Sequence, residues 1–120
     1  MKTVLIVEDD PNQRLLIREE LEDRGYSVRE AGNGKEGLAS FREQKPDLVI
    51  MDIRMPEMDG IETLMHLIEE QKSVPVILHS AYSKYKKNYM SWCADAYIVK
   101  SSDMTDLLEK VDEFLKKDTI

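Results

Sequence analysis

The sequence predicts an α/β fold: a doubly wound, five-stranded parallel sheet with helices on both faces. Three observations carry that expectation. Four short aliphatic runs, VLIV at 4–7, DLVIM at 47–51, VPVIL at 74–78 and AYIV at 96–99, lack the apolar–polar alternation of a sheet with one wet face. The longer stretches between them carry helical spacing or helix caps. With the weaker run YSVRE at 26–30 as a fifth strand, strand and helix alternate five times, and right-handed crossovers lay such units into a single parallel sheet.

The elements follow in order. After VLIV, residues Asp10, Pro11 and Gln13 read as an N-cap, a first-turn proline and a capping-box partner, and Gly25 is placed to end that helix in a left-handed conformation. YSVRE at 26–30 mixes polar and apolar residues and reads as an edge strand. Asn33 with Glu36 repeats the cap signature ahead of a second helix, and DLVIM is the third strand. Asp59 with Glu62 marks a third helix, followed by VPVIL as the fourth strand. Residues 84–92 make the least regular helical stretch, because their apolar members are mostly tyrosines of modest helix propensity. AYIV is the fifth strand. From Ser102 onward, Met104, Leu107, Leu108, Val111, Phe114 and Leu115 at three-four spacing line one face of a fifth helix.

With 120 residues and 42% hydrophobic content, the chain supports one domain spanning 1–120, and no apolar run reaches bilayer length. Its 24 Asp and Glu outnumber its 17 Lys and Arg, for a net charge of -7. That balance argues against direct binding of nucleic acid or an anionic membrane. Cys93 is the only cysteine and can form no internal disulfide, and no leader-like segment opens the chain, so a cytoplasmic setting is expected. The sequence stops soon after its last helical stretch, so no output domain is expected.

In sheets of this kind, ligands bind at the carboxyl ends of the strands, near the switch in strand order. Glu8 and Asp9 end the first strand, Asp52 the third, Ser80 the fourth and Lys100 the fifth. Singly, each has an ordinary reading: Asp10 beside the acidic pair caps a helix, Ser80 sits in a turn, and Lys100 is a solvated charge. Together, Glu8, Asp9 and Asp52 crowd three negative charges that one lysine cannot neutralise. A hard divalent cation resolves the conflict, since Mg²⁺ prefers oxygen ligands and is commonly held by one or two carboxylates plus a phosphate. Asp52, at the end of a buried strand, can then act as a nucleophile and form an aspartyl phosphate. The metal, the Lys100 ammonium, the Ser80 hydroxyl and backbone N–H groups would supply the charge neutralisation that phosphoryl transfer requires.

The segments VLIVEDD, DLVIMDIRMPEMDG, VPVILHSA and AYIVK, in this order and spacing, cover essentially the whole chain. They resemble the receiver domain of the two-component response regulators, a flavodoxin-like family. The resemblance implies strand order 2-1-3-4-5 with five helices, and a phosphoryl group accepted from a sensor histidine kinase. Position by position, it implies Asp52 as phospho-acceptor and Glu8 and Asp9 as the acidic pair for Mg²⁺ or Mn²⁺, with the Arg54 backbone carbonyl as the third protein ligand. It also implies Ser80 as the switch hydroxyl, Lys100 as the lysine that pairs with the phosphoryl group, and Tyr97 as the aromatic whose rotation reports the state. Pro56 and Gly60 match the turn after the acceptor. Such a domain is a switch and not an enzyme, catalysing only its own phosphoryl transfer and slow autodephosphorylation.

Three departures stand out. Ser101 follows Lys100 where the family usually has proline, and Cys93 stands where glycine is common and reads as a buried small residue. Arg54 and Tyr82, two positions after the acceptor and the switch hydroxyl, resemble the variable positions that govern attack of water on the acyl phosphate. Their bulk predicts a long-lived phosphorylated state.

Output is expected by contact. Tyr82, Lys84, Tyr85, Lys86, Tyr89 and Trp92 form an aromatic and basic span of the kind interfaces enrich. The span falls where receiver domains carry their output face, the fourth helix, fifth strand and fifth helix, although inward packing is an equal reading for Tyr89 and Trp92. Phosphate at Asp52 would draw Ser80 inward, Tyr97 would follow, and the surface around Tyr85 and Lys86 would change. Leu15, Leu16 and Ile17 crowd apolar side chains on the first helix, so at least one faces outward, offering a docking patch to the kinase's phosphohistidine domain. A monomer is expected, with dimerisation on phosphorylation left open.

Two rivals fail on short local stretches. A flavodoxin needs a phosphate cradle where EDD stands, and an aspartate-nucleophile phosphatase needs a second carboxylate where Arg54 stands. Two others stay open: a phosphorylation-independent interaction module, which the Lys100-Ser101 departure favours, and a relay intermediate that passes its phosphoryl group to a histidine phosphotransfer protein.

Overall fold

Five strands form one sheet in the order β2-β1-β3-β4-β5, with every neighbouring pair parallel. They are β1 (Thr3–Val7), β2 (Ser27–Ala31), β3 (Leu48–Met51), β4 (Val76–Ser80) and β5 (Ala96–Val99). The structure is a computed structural model that describes residues 1–52, 70, 73–81 and 95–116. Three helices lie within those residues: α1 (Pro11–Asp23), α2 (Gly34–Glu43) and a C-terminal helix, Thr105–Lys116. The helices expected after Asp59 and over 84–92 lie outside the described residues.

The unbroken apolar runs have the cause the sequence suggested. β3 and β4 are buried at every position and β1 at every position but Thr3, as befits strands enclosed on both faces. On one face, Val4, Ile6, Ile50 and Ile77 pack with Ile17 and Leu21 of α1 and with Leu107, Leu108, Val111 and Leu115 of the C-terminal helix. Each fully buried Ile or Leu there contributes about 1.5 to 3 kcal/mol. On the other side, α2 packs against β1 and β2 and buries Phe41. Arg29 of β2 donates to the Ser40 and Gln44 carbonyls at the end of that helix.

β2 begins one residue later than expected. Tyr26 leaves the strand and buries its ring, with its hydroxyl 2.5 Å from Asp112 Oδ1 on the C-terminal helix. The cap of α1 also differs in detail, since the Asp10 side chain accepts from the N–H of Asn12, one residue short of the Gln13 position. At α2 the predicted cap forms, Asn33 Oδ1 accepting from the Glu36 N–H at 2.8 Å, while Glu36 reaches back to Asn33 Nδ2 at 2.9 Å and the Gly32 N–H at 3.3 Å in place of the Asn33 N–H. Gly25 ends α1 with φ of 91°. The Gly25 N–H bonds the Glu22 carbonyl and the Tyr26 N–H the Leu21 carbonyl, a Schellman ending that favours glycine at its left-handed residue. Among the described residues, no helix is long and apolar enough to cross a membrane.

Candidate phosphoryl and metal site

Register delivers the acidic residues to one place. Val7 of β1 pairs with Met51 of β3 at the switch in strand order, so Glu8 and Asp52 leave adjacent strand ends. The Asp52 N–H donates to the Val7 carbonyl at 2.9 Å, and the Glu8 N–H donates to Ala31 at 3.0 Å. Ser80 pairs with Val99, and the Lys100 N–H donates to the Ser80 carbonyl at 2.7 Å, which brings the end of β5 to the same edge.

Glu8, Asp9 and Asp52 each place a carboxylate oxygen within 4.8 Å of the others. Glu8 is 3% exposed and Ser80 wholly buried, whereas Asp9 faces solvent. Lys100 Nζ stands between two of the acids, 2.6 Å from Glu8 Oε1 and 3.2 Å from Asp52 Oδ2. Glu8 Oε2 accepts from the Asp10 N–H at 3.2 Å. Burial is the largest influence on the Lys100 pKa and lowers it, but the hydrogen bond to Glu8 and the charges of Asp52 and Glu8 outweigh it. The ammonium is therefore held above its ordinary value and stays protonated.

The donor set fits a hard cation. All three side chains offer carboxylate oxygens, the geometry gathers them at one point, and Asp9 opens that point to solvent. Of the other residues singled out in the sequence, Tyr97 lies buried in β5 opposite Leu78. Leu15 and Leu16 are 51% and 49% exposed while Ile17 is buried, so two of that apolar trio face outward. Arg54, Pro56, Gly60, Tyr82, Lys84, Tyr85, Lys86, Tyr89, Trp92 and Cys93 lie outside the described residues. Ser101 accepts from the Asp103 N–H through its hydroxyl at 3.0 Å, forming a turn before the C-terminal helix.

A titratable group beside the site goes unremarked in the sequence reading. His79, next to Ser80, is 4% exposed, and burial followed by the nearby charge of Lys100 pushes its pKa down to about 4. Its signal in the sequence was a single titratable residue inside the apolar run VILHS.

A profile of the response regulator receiver domain matches residues 4–112, and the chain belongs to that family. It is 36% identical over 106 residues to the regulatory protein AtoC of Escherichia coli (strain K12), covering 87% of this chain and 23% of that protein. Against the first three curated relatives, the chain spans between 23% and 50% of their length. The response regulator TrrA of Thermotoga maritima, solved in complex with Mg(2+)-BeF, superposes with a TM-score of 0.86 at 44% identity, covering 96% of this chain and all of that one. TrrA solved in complex with the histidine kinase ThkA gives a TM-score of 0.83 at 43% identity, covering 96% and 99%.

Proposed function

We propose that Asp52 accepts a phosphoryl group from a sensor histidine kinase and that the modified domain signals by protein contact. The observation that carries this reading is the meeting of Glu8, Asp9, Asp52 and Lys100 at the carboxyl edge of the sheet. An Asp52 carboxylate oxygen would attack phosphorus as the bond to the kinase's histidine nitrogen breaks. Glu8, Asp9 and Asp52, with the Arg54 carbonyl, would hold Mg²⁺, which when bound supplies neutralisation of the transferring group's charge. Lys100, already protonated beside Asp52, would pair with the phosphoryl oxygens, and the buried Ser80 hydroxyl would turn to donate to them.

The partners and the output are part of the same reading. The TrrA complexes with Mg(2+)-BeF and with a kinase support both the cation and the kinase class. Leu15 and Leu16, exposed on α1, would take part in kinase docking. The change at Ser80 would pass through Tyr97 to a surface comprising the fifth strand, where Val99 is 43% exposed, and the aromatic and basic span from Tyr82 to Trp92. We place this switch in the cytoplasm, as a monomer before phosphorylation.

Incubation with Mg²⁺ and a small phosphodonor, read by intact mass, tests the proposal. Wild type is expected to gain one phosphoryl group and Asp52→Asn none. If wild type gains nothing and a matched kinase cannot label it, the switch reading fails and a phosphorylation-independent module takes its place.

A further inference from the structure

Every polar group of Glu8 has a partner, and one of those partners comes from the far side of the turn. The Glu8 N–H is held by the Ala31 carbonyl, and its carboxylate by Lys100 and the Asp10 N–H. Its carbonyl accepts from Arg14 Nη1 at 2.8 Å. Arg14 sits one turn into α1, where its own N–H bonds the Asp10 carbonyl, and its side chain reaches back across the turn. The same guanidinium donates through Nε to Glu30 Oε1 of β2 at 3.3 Å, and Glu30 in turn pairs with Arg18. It passes close over Gly32, where a Cβ would stand 3.4 Å from Nη1. Arg14 is only 22% exposed, so this is a packed arm and not a loose surface charge.

We propose that Arg14 is a positioning residue for the acidic turn, holding the Glu8–Asp9 peptide so that its two carboxylates face the divalent cation. The inference rests on the reading of Glu8, Asp9 and Asp52 as a Mg²⁺ site. A peptide unit is planar, so a bond to the Glu8 carbonyl also sets the direction in which Asp9 leaves it. Asp9 is the acid that faces solvent, and its aim depends on that plane. A cationic group this near would on charge alone weaken the binding of another cation. Arg14, Arg18, Glu22 and Glu30 form a cluster whose charges balance, so on this proposal the charge of the guanidinium counts for less than its position.

The two effects have opposite signatures in a calorimetric titration with MgCl₂. Wild type, Arg14→Lys and Arg14→Gln are compared, with urea unfolding in the absence of Mg²⁺ as a separate measure of folding. Positioning requires both substitutions to weaken Mg²⁺ binding, on the order of tenfold for the neutral variant, as is typical when a group that orients a metal ligand is removed. Lysine keeps the charge but lacks the rigid fork with which Nη1 and Nε reach the Glu8 carbonyl and Glu30 at once, so it is expected to restore affinity only in part. If Arg14→Gln tightens Mg²⁺ while Arg14→Lys leaves it unchanged, Arg14 acts by charge and the proposal is overturned. Loss of unfolding stability with an unchanged Mg²⁺ affinity would make Arg14 merely structural, which also overturns it. Should Arg14→Gln not fold, Arg14→Lys alone decides, since positioning demands a weaker affinity there too. Absence of any Mg²⁺ binding by wild type would remove the metal reading itself and this inference with it, whereas normal wild-type binding with indifferent variants removes only the role of Arg14.

Discussion

Lys100 Nζ lies 2.6 Å from Glu8 Oε1, although the two residues are 92 positions apart in the chain. With Asp52 Oδ2 at 3.2 Å, the ammonium joins the ends of β1, β3 and β5 and serves as counter-charge to two acids. Lys100→Met leaves those carboxylates facing one another without it. The expected loss of stability is about 2 kcal/mol, below the roughly 3 to 5 kcal/mol of a fully buried pair because Lys100 keeps some solvent contact. Urea unfolding with and without MgCl₂ checks both halves of the argument. The loss should shrink in Mg²⁺, and an equal loss in both buffers would mean that cation and lysine do not share the site.

His79 predicts an acid limb. Its folded pKa of about 4 lies below the ordinary 6.5, so the unfolded chain takes up its proton first as pH falls. Stability from the buried neutral imidazole is therefore complete above about pH 6.5, declines as pH drops, and is fully lost below about 4. By linkage the whole effect is about 3 kcal/mol. His79→Leu is expected to flatten the stability profile between pH 4.5 and 7 relative to wild type in urea titrations. Parallel profiles would show that His79 is not the source.

Tyr26 and Asp112 tie the start of β2 to the C-terminal helix, and Arg24 and Lys116 converge on the same carboxylate. Tyr26→Phe removes the hydroxyl donor and leaves the ring in place, at an expected cost of about 1 to 2 kcal/mol. Burial, then the bond to Asp112, raises the Tyr26 pKa above its ordinary 10. A raised pKa stabilises fully below the unfolded value and is lost as pH climbs past it. Wild type should therefore lose stability above about pH 10 more steeply than Tyr26→Phe, as chemical denaturation at pH 8 to 11 would reveal.

The lifetime of the phosphorylated state gives a fourth test. Tyr82 stands two positions after Ser80, where its bulk would hinder water at the acyl phosphate. Tyr82→Ala is expected to speed loss of the phosphoryl mass several-fold after the donor is removed. An unchanged decay would place the barrier elsewhere.

How legible each feature was in the sequence depended on how local its cause is. VLIV, DLVIM, VPVIL and AYIV announce four strands because burial on both faces leaves an uninterrupted apolar run, although the fourth lies two residues later, at Val76–Ser80. β2 starts one residue later than the sequence suggests because an edge strand has no such run, and Tyr26 resembles a strand residue although its partner is Asp112, 86 residues away. Asn33, Glu36 and Gly25 were readable because caps act within a few residues. The convergence of Glu8, Asp9 and Asp52 followed from the carboxyl-end rule and from charge crowding. Arg14 escaped because nothing local marks a guanidinium that folds back onto a carbonyl, and His79 because a lone histidine in VILHS reads as part of a strand, while its shift comes from burial and then from Lys100.

Glu8 also has a mechanical meaning. β2 and β5 are the two outer strands, separated by β1, β3 and β4. Glu8 grips the first through its N–H on Ala31 and the last through its carboxylate on Lys100. One residue thus spans the open rim of the sheet like a tie-beam. Anything that draws Lys100 aside unfastens one end of that beam and frees the tip of β5 from the strand on the opposite margin.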